Sequence, residues 1–202
     1  MLFISQLFNS LIQIVLFSLL PLVWWLICAQ KKENFFSWLG LKRVGVENKK
    51  GCVHATLIVV AAFLVLSIGI LWMMRDVETA TSQFTGMGIA ALPAALVYAL
   101  FNTALPEEIL FRGFLLKRLS GKFGFGIANL VQSFLFGLLH GLLFFSVIGA
   151  MQALLVVLFT GGIGWSMGYV NEKRAGGSIV PSVVIHGTAN LFSSLIAMFA
   201  LL

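Results

Sequence analysis

The chain has 202 residues, of which 60% are hydrophobic and 10% charged, with a formal net charge of +6. Mean hydropathy is +1.04. Soluble domains carry about 25% charged residues, so this composition excludes an ordinary soluble protein and leaves an integral membrane protein. The positive balance is no nucleic-acid signal, because the cations fall between apolar segments instead of on one binding face.

At about 20 apolar residues per crossing, the chain can hold about six helices with short loops. The candidate spans are 8–29, 53–74, 88–118, 125–145, 147–170 and 179–201. The predicted fold is all-α, a polytopic transmembrane helix bundle forming one domain over 1–202. The N-terminus lacks Lys, Arg and a small-residue cleavage site, so the first segment is expected to be a retained helix and not a signal peptide. After it, Asn34 to Arg43 mixes aromatic residues with flanking cations. This stretch is too short to cross and suits an amphipathic helix lying in the interface. Cys28 and Cys52 flank the same loop and are expected to be apolar filler, with a disulfide disfavoured on the cytoplasmic side. His54, at the start of the second span, is expected at the interface and outside any site.

Charge orients the bundle. The loops 30–52, 117–124 and 171–178 hold Lys31, Lys32, Lys42, Arg43, Lys49, Lys50, Lys117, Arg118, Lys122, Lys173 and Arg174, eleven of the 13 basic residues. Such a bias in short loops predicts that they face the cytoplasm and that both termini lie outside.

The third span is long for one crossing, about 46 Å of helix against a core of about 30 Å. Pro106 is expected to divide it and to start a fresh helix near Leu105. That helix carries Glu107, Glu108 and Arg112 inside an apolar segment, where each ionisable group costs about 2.5–3.5 kcal/mol on insertion scales. Glu108 and Arg112 are four residues apart and share a face, so they are expected to pair. Glu107 is offset by about 100° and is expected to point elsewhere. A carboxylate without its own counter-charge suits a general base, and a purely structural lock would need only one Glu.

His140 closes the stretch Phe136-Gly137-Leu138-Leu139-His140, with Phe136 on its face. His186 has Asn190 four residues on, so an imidazole and an amide project together. Such a pair can donate to a developing oxyanion, or tie helices together. Counted from the loop ends at about 1.5 Å per residue, Glu107, His140 and His186 lie about 14–21 Å deep. Three helices can therefore bring them to one point near the midplane, as an enzyme with its site inside the bilayer requires.

Glu107-Glu108-Ile109-Leu110-Phe111-Arg112-Gly113, then Phe136 to His140, then His186-Gly187-Thr188-Ala189-Asn190 resemble, in order and spacing, three family motifs. These are the EExxxR, FxxxH and HxxxN of the CPBP (CAAX protease and bacteriocin-processing, or Abi) intramembrane proteases, related to type II CAAX prenyl endopeptidases. The resemblance covers about residues 88–195. It implies a glutamic-type intramembrane endopeptidase in which Glu107 and His140 activate water and His186 and Asn190 stabilise the oxyanion. Glu108, Arg112 and Phe136 would support the site. No cofactor is implied, although the family's description as metalloproteases would make Glu107, His140 and His186 zinc ligands. The implied partner is a membrane-anchored or lipidated peptide or protein in a bacterial cell membrane. Competing readings are a non-catalytic scaffold or bacteriocin-immunity factor of the same fold, and a proton-coupled transporter. The intact polar set argues against the first, and the lack of inverted repeats or paired broken helices against the second.

Overall fold

A computed structural model describes residues 1–45, 47 and 49–202. No strand occurs among the described residues, as expected where lipid leaves backbone polar groups to be satisfied within each segment. In chain order the helices are α1 (Leu2–Cys28), the five-residue α2 (Phe35–Leu39), α3 (Lys49–Met73) and α4 (Gly88–Phe123). A long stretch, Phe125–Tyr169, divides at Gly149, whose φ of 79° and ψ of 173° are not helical. Its two parts are α5 (125–148) and α6 (150–169), and α7 (Val180–Met198) follows. Five helical stretches are long and apolar enough to cross a membrane, and the fold-back at Gly149 brings the number of crossing segments to six. The protein is an all-α polytopic membrane bundle.

Close approach holds α5 against α6. A Cβ at Gly141 would collide with Val157 and lie 2.9 Å from the Ala153 carbonyl, and one at Gly137 would collide with the Val157 carbonyl and lie 2.9 Å from the Gly161 nitrogen. Further along, Ser133 neighbours Gly161, and the Asn129 amide donates to the Trp165 carbonyl at 3.0 Å. As the first number falls the second rises, so the pair is antiparallel. Small residues permit such contact where no hydrophobic force drives helices together. Gln132 fills the same seam, donating to the Gly164 carbonyl at 3.1 Å and to Asn129 Oδ1 at 2.8 Å.

Pro106 does not break α4. It begins a short α-helical turn, Leu105–Glu108, flanked by π-helical stretches Tyr98–Ala104 and Ile109–Leu116. The Leu105 N–H reaches five residues back to the Leu100 carbonyl, and the Thr103 hydroxyl donates to the carbonyls of Tyr98 and Ala99, each at 3.1 Å. The wider turn accommodates the proline ring and its missing N–H, which would otherwise kink the helix.

The three basic loops meet at one end of the bundle. Lys117 Nζ donates to Glu172 at 2.7 Å and to the Gly177 carbonyl at 2.8 Å, the Ser178 hydroxyl donates to the Lys42 carbonyl at 2.6 Å, and Ile179 N–H donates to the Gly40 carbonyl at 2.9 Å. Gly40, at φ 85°, ends α2, which buries Trp38 and Leu39 while Phe36 stays 59% exposed. At the opposite end Gly86 N–H bonds the Ala197 carbonyl at 3.1 Å, and Leu2 packs on the cluster of Phe84, Tyr98 and Met198. Both termini therefore lie there. α1 is inside out relative to a soluble helix: its buried residues are Gln6, Ser10 and Pro21, while Phe8, Leu11 and Leu16 face outward.

The seam makes a clear prediction. Gly137→Leu forces backbone apart and is expected to cost about 1–3 kcal/mol, seen as a lower thermal midpoint in detergent. Gly162→Leu, whose Cβ meets nothing within 4 Å, is expected to hold or raise that midpoint.

Candidate active site

α4 supplies Glu107, Glu108 and Arg112, α5 supplies Phe136 and His140, and α7 supplies His186 and Asn190. Glu108 and Arg112 are both fully buried, and Arg112 Nη1 donates to Glu108 Oε1 at 2.7 Å. The same carboxylate oxygen accepts from His186 Nδ1 at 3.0 Å. Glu107 was expected to point elsewhere, and its Oε2 lies on the far side of the same imidazole, 3.8 Å from His186 Nε2. The two glutamates thus bracket His186, one at each ring nitrogen. Gly187, next in sequence, lets α7 lie against Leu100 of α4.

Phe136 is the hub of the aromatic packing. Its ring lies 4.2 Å from the Arg112 guanidinium carbon, 4.5 Å from the His140 ring, 5.1 Å from Phe111 and 5.7 Å from His186. A cation over an aromatic face is stabilised by the ring quadrupole, the more so away from water. Gly164 of α6 closes the stack from the other side, since a Cβ there would lie 2.9 Å from Arg112 Nη2 and 3.3 Å from Phe136.

His140 Nδ1 lies 2.8 Å from the Phe136 carbonyl. A carbonyl only accepts, so Nδ1 carries the proton in this bond and Nε2 remains open. His140, His186 and Asn190 line one small cavity of about 80 Å³, with Phe63, Phe136, Thr160, Ile163, Met167 and Ala189 as its other walls. Glu107 does not line it, and no hydrogen bond or ion pair joins Glu107 to His140 among the described residues. Asn190 Nδ2 donates to the Thr103 hydroxyl at 2.6 Å. Buried polar atoms without a hydrogen-bond partner among the described residues cluster here: Glu107 Oε2, Glu108 Oε2, and Arg112 Nε and Nη2.

All seven site residues predicted from the sequence meet in this region. His54 is exposed near the start of α3, apart from them. Thr103 was missed, although it sits one helical turn before Glu107, the spacing that would have found it. Asn171 and Ser182, joined at 2.7 Å beneath His186 and both fully buried, were also missed. They belong to different segments, and no local spacing relates them.

For zinc, the donors would be Glu107, His140 and His186. Among the described residues no three His, Cys, Asp or Glu side chains converge closely enough to hold one ion, so the side chains as placed do not fit a metal centre.

Breaking a buried pair by removing one partner costs about 3–5 kcal/mol. Glu108→Ala and Arg112→Ala are each expected to reduce folded protein in the membrane, while Glu108→Leu/Arg112→Met together recovers much of it. Accumulation and thermal midpoint measure this, and wild-type levels of Arg112→Ala would contradict it.

A family model, type II CAAX prenyl endopeptidase Rce1-like, matches residues 89–192. No curated protein and no solved structure matches the chain. The matched stretch takes in more than half of the 202 residues and every polar group of the cluster, so the chain belongs to the Rce1-like type II CAAX prenyl endopeptidase family, membrane-embedded peptidases.

Proposed function

We propose that the protein is a glutamic-type intramembrane endopeptidase that hydrolyses a peptide bond of a membrane-anchored or lipidated peptide or protein. The observation that carries this reading is His186 held between two carboxylates beside a cavity shared with His140 and Asn190. Glu107 is the general base: its unpartnered Oε2 accepts a proton from water as the water oxygen attacks the scissile carbonyl. His140, with Nδ1 fixed on the Phe136 carbonyl, turns Nε2 to the same water. The oxyanion forms toward α7. There the Asn190 amide keeps one N–H beyond its bond to Thr103, and His186, held at Nδ1 by Glu108, brings its ring to the same point. At 3.8 Å, base and oxyanion donor are close enough for one tetrahedral carbon to touch both. The proton on Glu107 then passes to the leaving nitrogen as the C–N bond breaks, which balances the hydrolysis. Arg112, already paired, fixes Glu108 and takes no proton.

This mechanism routes no step through a metal and needs no cofactor. The three basic loops at one end are proposed to face the cytoplasm of a bacterial cell, with the termini outside. Bacteriocin leaders and other membrane-anchored peptides are substrates of suitable chemistry.

The test is cleavage of a membrane-anchored reporter by purified protein in detergent. Glu107→Ala and His140→Ala are expected to abolish cleavage while retaining the wild-type thermal midpoint. His186→Ala is expected to lower the rate by roughly 10²–10³, the scale of losing an oxyanion donor. Full activity of Glu107→Ala would overturn the base. Separately, activity is expected to survive exhaustive chelation. One zinc per chain that disappears in His186→Ala, with activity restored by added zinc, would replace the glutamic reading by a metal-dependent one.

A further inference from the structure

The small catalytic cavity has a neighbour. A groove of about 420 Å³ runs between α3 and α6, lined by Ile58, Ala62 and Leu66 on one side and by Leu158, Gly162 and Ser166 on the other. It faces lipid, since Ile58, Leu66 and Leu158 are each more than half exposed. Groove and cavity share two walls, Phe63 and Ile163. Phe63 stacks on Phe159, ring centroids 4.9 Å apart and planes 18° from parallel. Only side chains therefore stand between the bilayer and the pocket that holds His140, His186 and Asn190.

Resting on the hydrolytic reading above, we propose that the Phe63–Phe159 stack is a side gate between α3 and α6. Its occupant is the hydrocarbon-bearing end of the membrane-anchored substrate, which lies in the apolar groove and reaches the catalytic cavity when Phe63 swings away. A cavity of about 80 Å³ holds a few waters and no peptide segment, so some wall must move before a scissile bond can enter. Phe63 suits that role. An aromatic pair is worth only about 0.5–1.5 kcal/mol beyond its buried area, and rotamer exchange breaks it without disturbing a helix. The backbone nearby is also open, because a Cβ at Gly162 meets nothing within 4 Å. By contrast, the α5–α6 seam is in close backbone contact at Gly137 and Gly141, and Arg112 is fully buried against Phe136.

The experiment uses two variants expected to act in opposite directions, neither touching a candidate catalytic residue. Phe63→Ala removes the gate, and Gly162→Leu fills the groove while favouring the helix. A single reporter thiol, Ala189→Cys, is placed in the cavity wall of a chain carrying Cys28→Ser and Cys52→Ala. It is challenged in vesicles with a lipid-dissolved maleimide. The gate predicts several-fold faster labelling in Phe63→Ala and several-fold slower labelling in Gly162→Leu, with the Gly162→Leu midpoint held or raised. In detergent, KM for an anchored reporter falls in the first and rises in the second. If labelling is the same in all three, the groove holds only bilayer lipid and the gate is overturned whatever the activity. If labelling shifts as stated but wild-type protein cleaves no reporter, the side gate stands and the hydrolytic reading falls.

Discussion

A guanidinium fully buried in a membrane-spanning helix sets the terms for everything around it. Arg112 has one direct carboxylate bond, to Glu108, and its nearer aromatic face is Phe136. Removing it from water is tolerable only with both, and both constrain distant parts of the chain. Glu108 is thereby fixed where it also takes up His186 of α7. Phe136 is thereby fixed one turn from His140 of α5, and Gly164 of α6 is kept small. His186 touches the ion pair directly and His140 reaches it through Phe136, so the pair organises these groups without being consumed.

The lipid environment inverts the usual logic of packing. Leucines and phenylalanines of α1 and α3 face outward, while glutamine, serine, asparagine and glycine turn inward. Polar side chains and close backbone approach do the joining, as the Asn129–Gln132–Gly164 seam shows. Such joints are rigid. A joint made of apolar side chains alone, such as Phe63 on Phe159, lacks such locks.

Much of this was legible in the sequence. Hydropathy gave the six segments, and basic loops placed on one side by charge alone do meet, tied through Lys117, Glu172 and Ser178. The Glu108–Arg112 pair followed from helical spacing, because both partners lie on one element. What escaped depends on departures from regular helix or on distant segments. Pro106 was expected to divide α4, but a π-helical turn absorbs the proline and keeps the helix running. Glu107 was expected to point away by its 100° offset, yet α7 comes close enough for both glutamates to border His186. Angles on one helix say nothing of how near its neighbour lies.

The reversal at Gly149 bears on how the chain reaches the membrane. With a single non-helical residue between α5 and α6, there is no hydrophilic loop to carry across the bilayer when these helices insert. Their backbones touch along the seam from Gly141 to Ser133, so the pair is suited to enter as one preformed hairpin. The charged segments flanking it, with Lys117, Arg118 and Lys122 before it and Lys173 and Arg174 after it, meet at one end of the bundle, so the pair enters and leaves the membrane on the same side. Insertion of the segment bearing His140 thus becomes a problem of partitioning a greasy wedge, with no polar cargo to translocate.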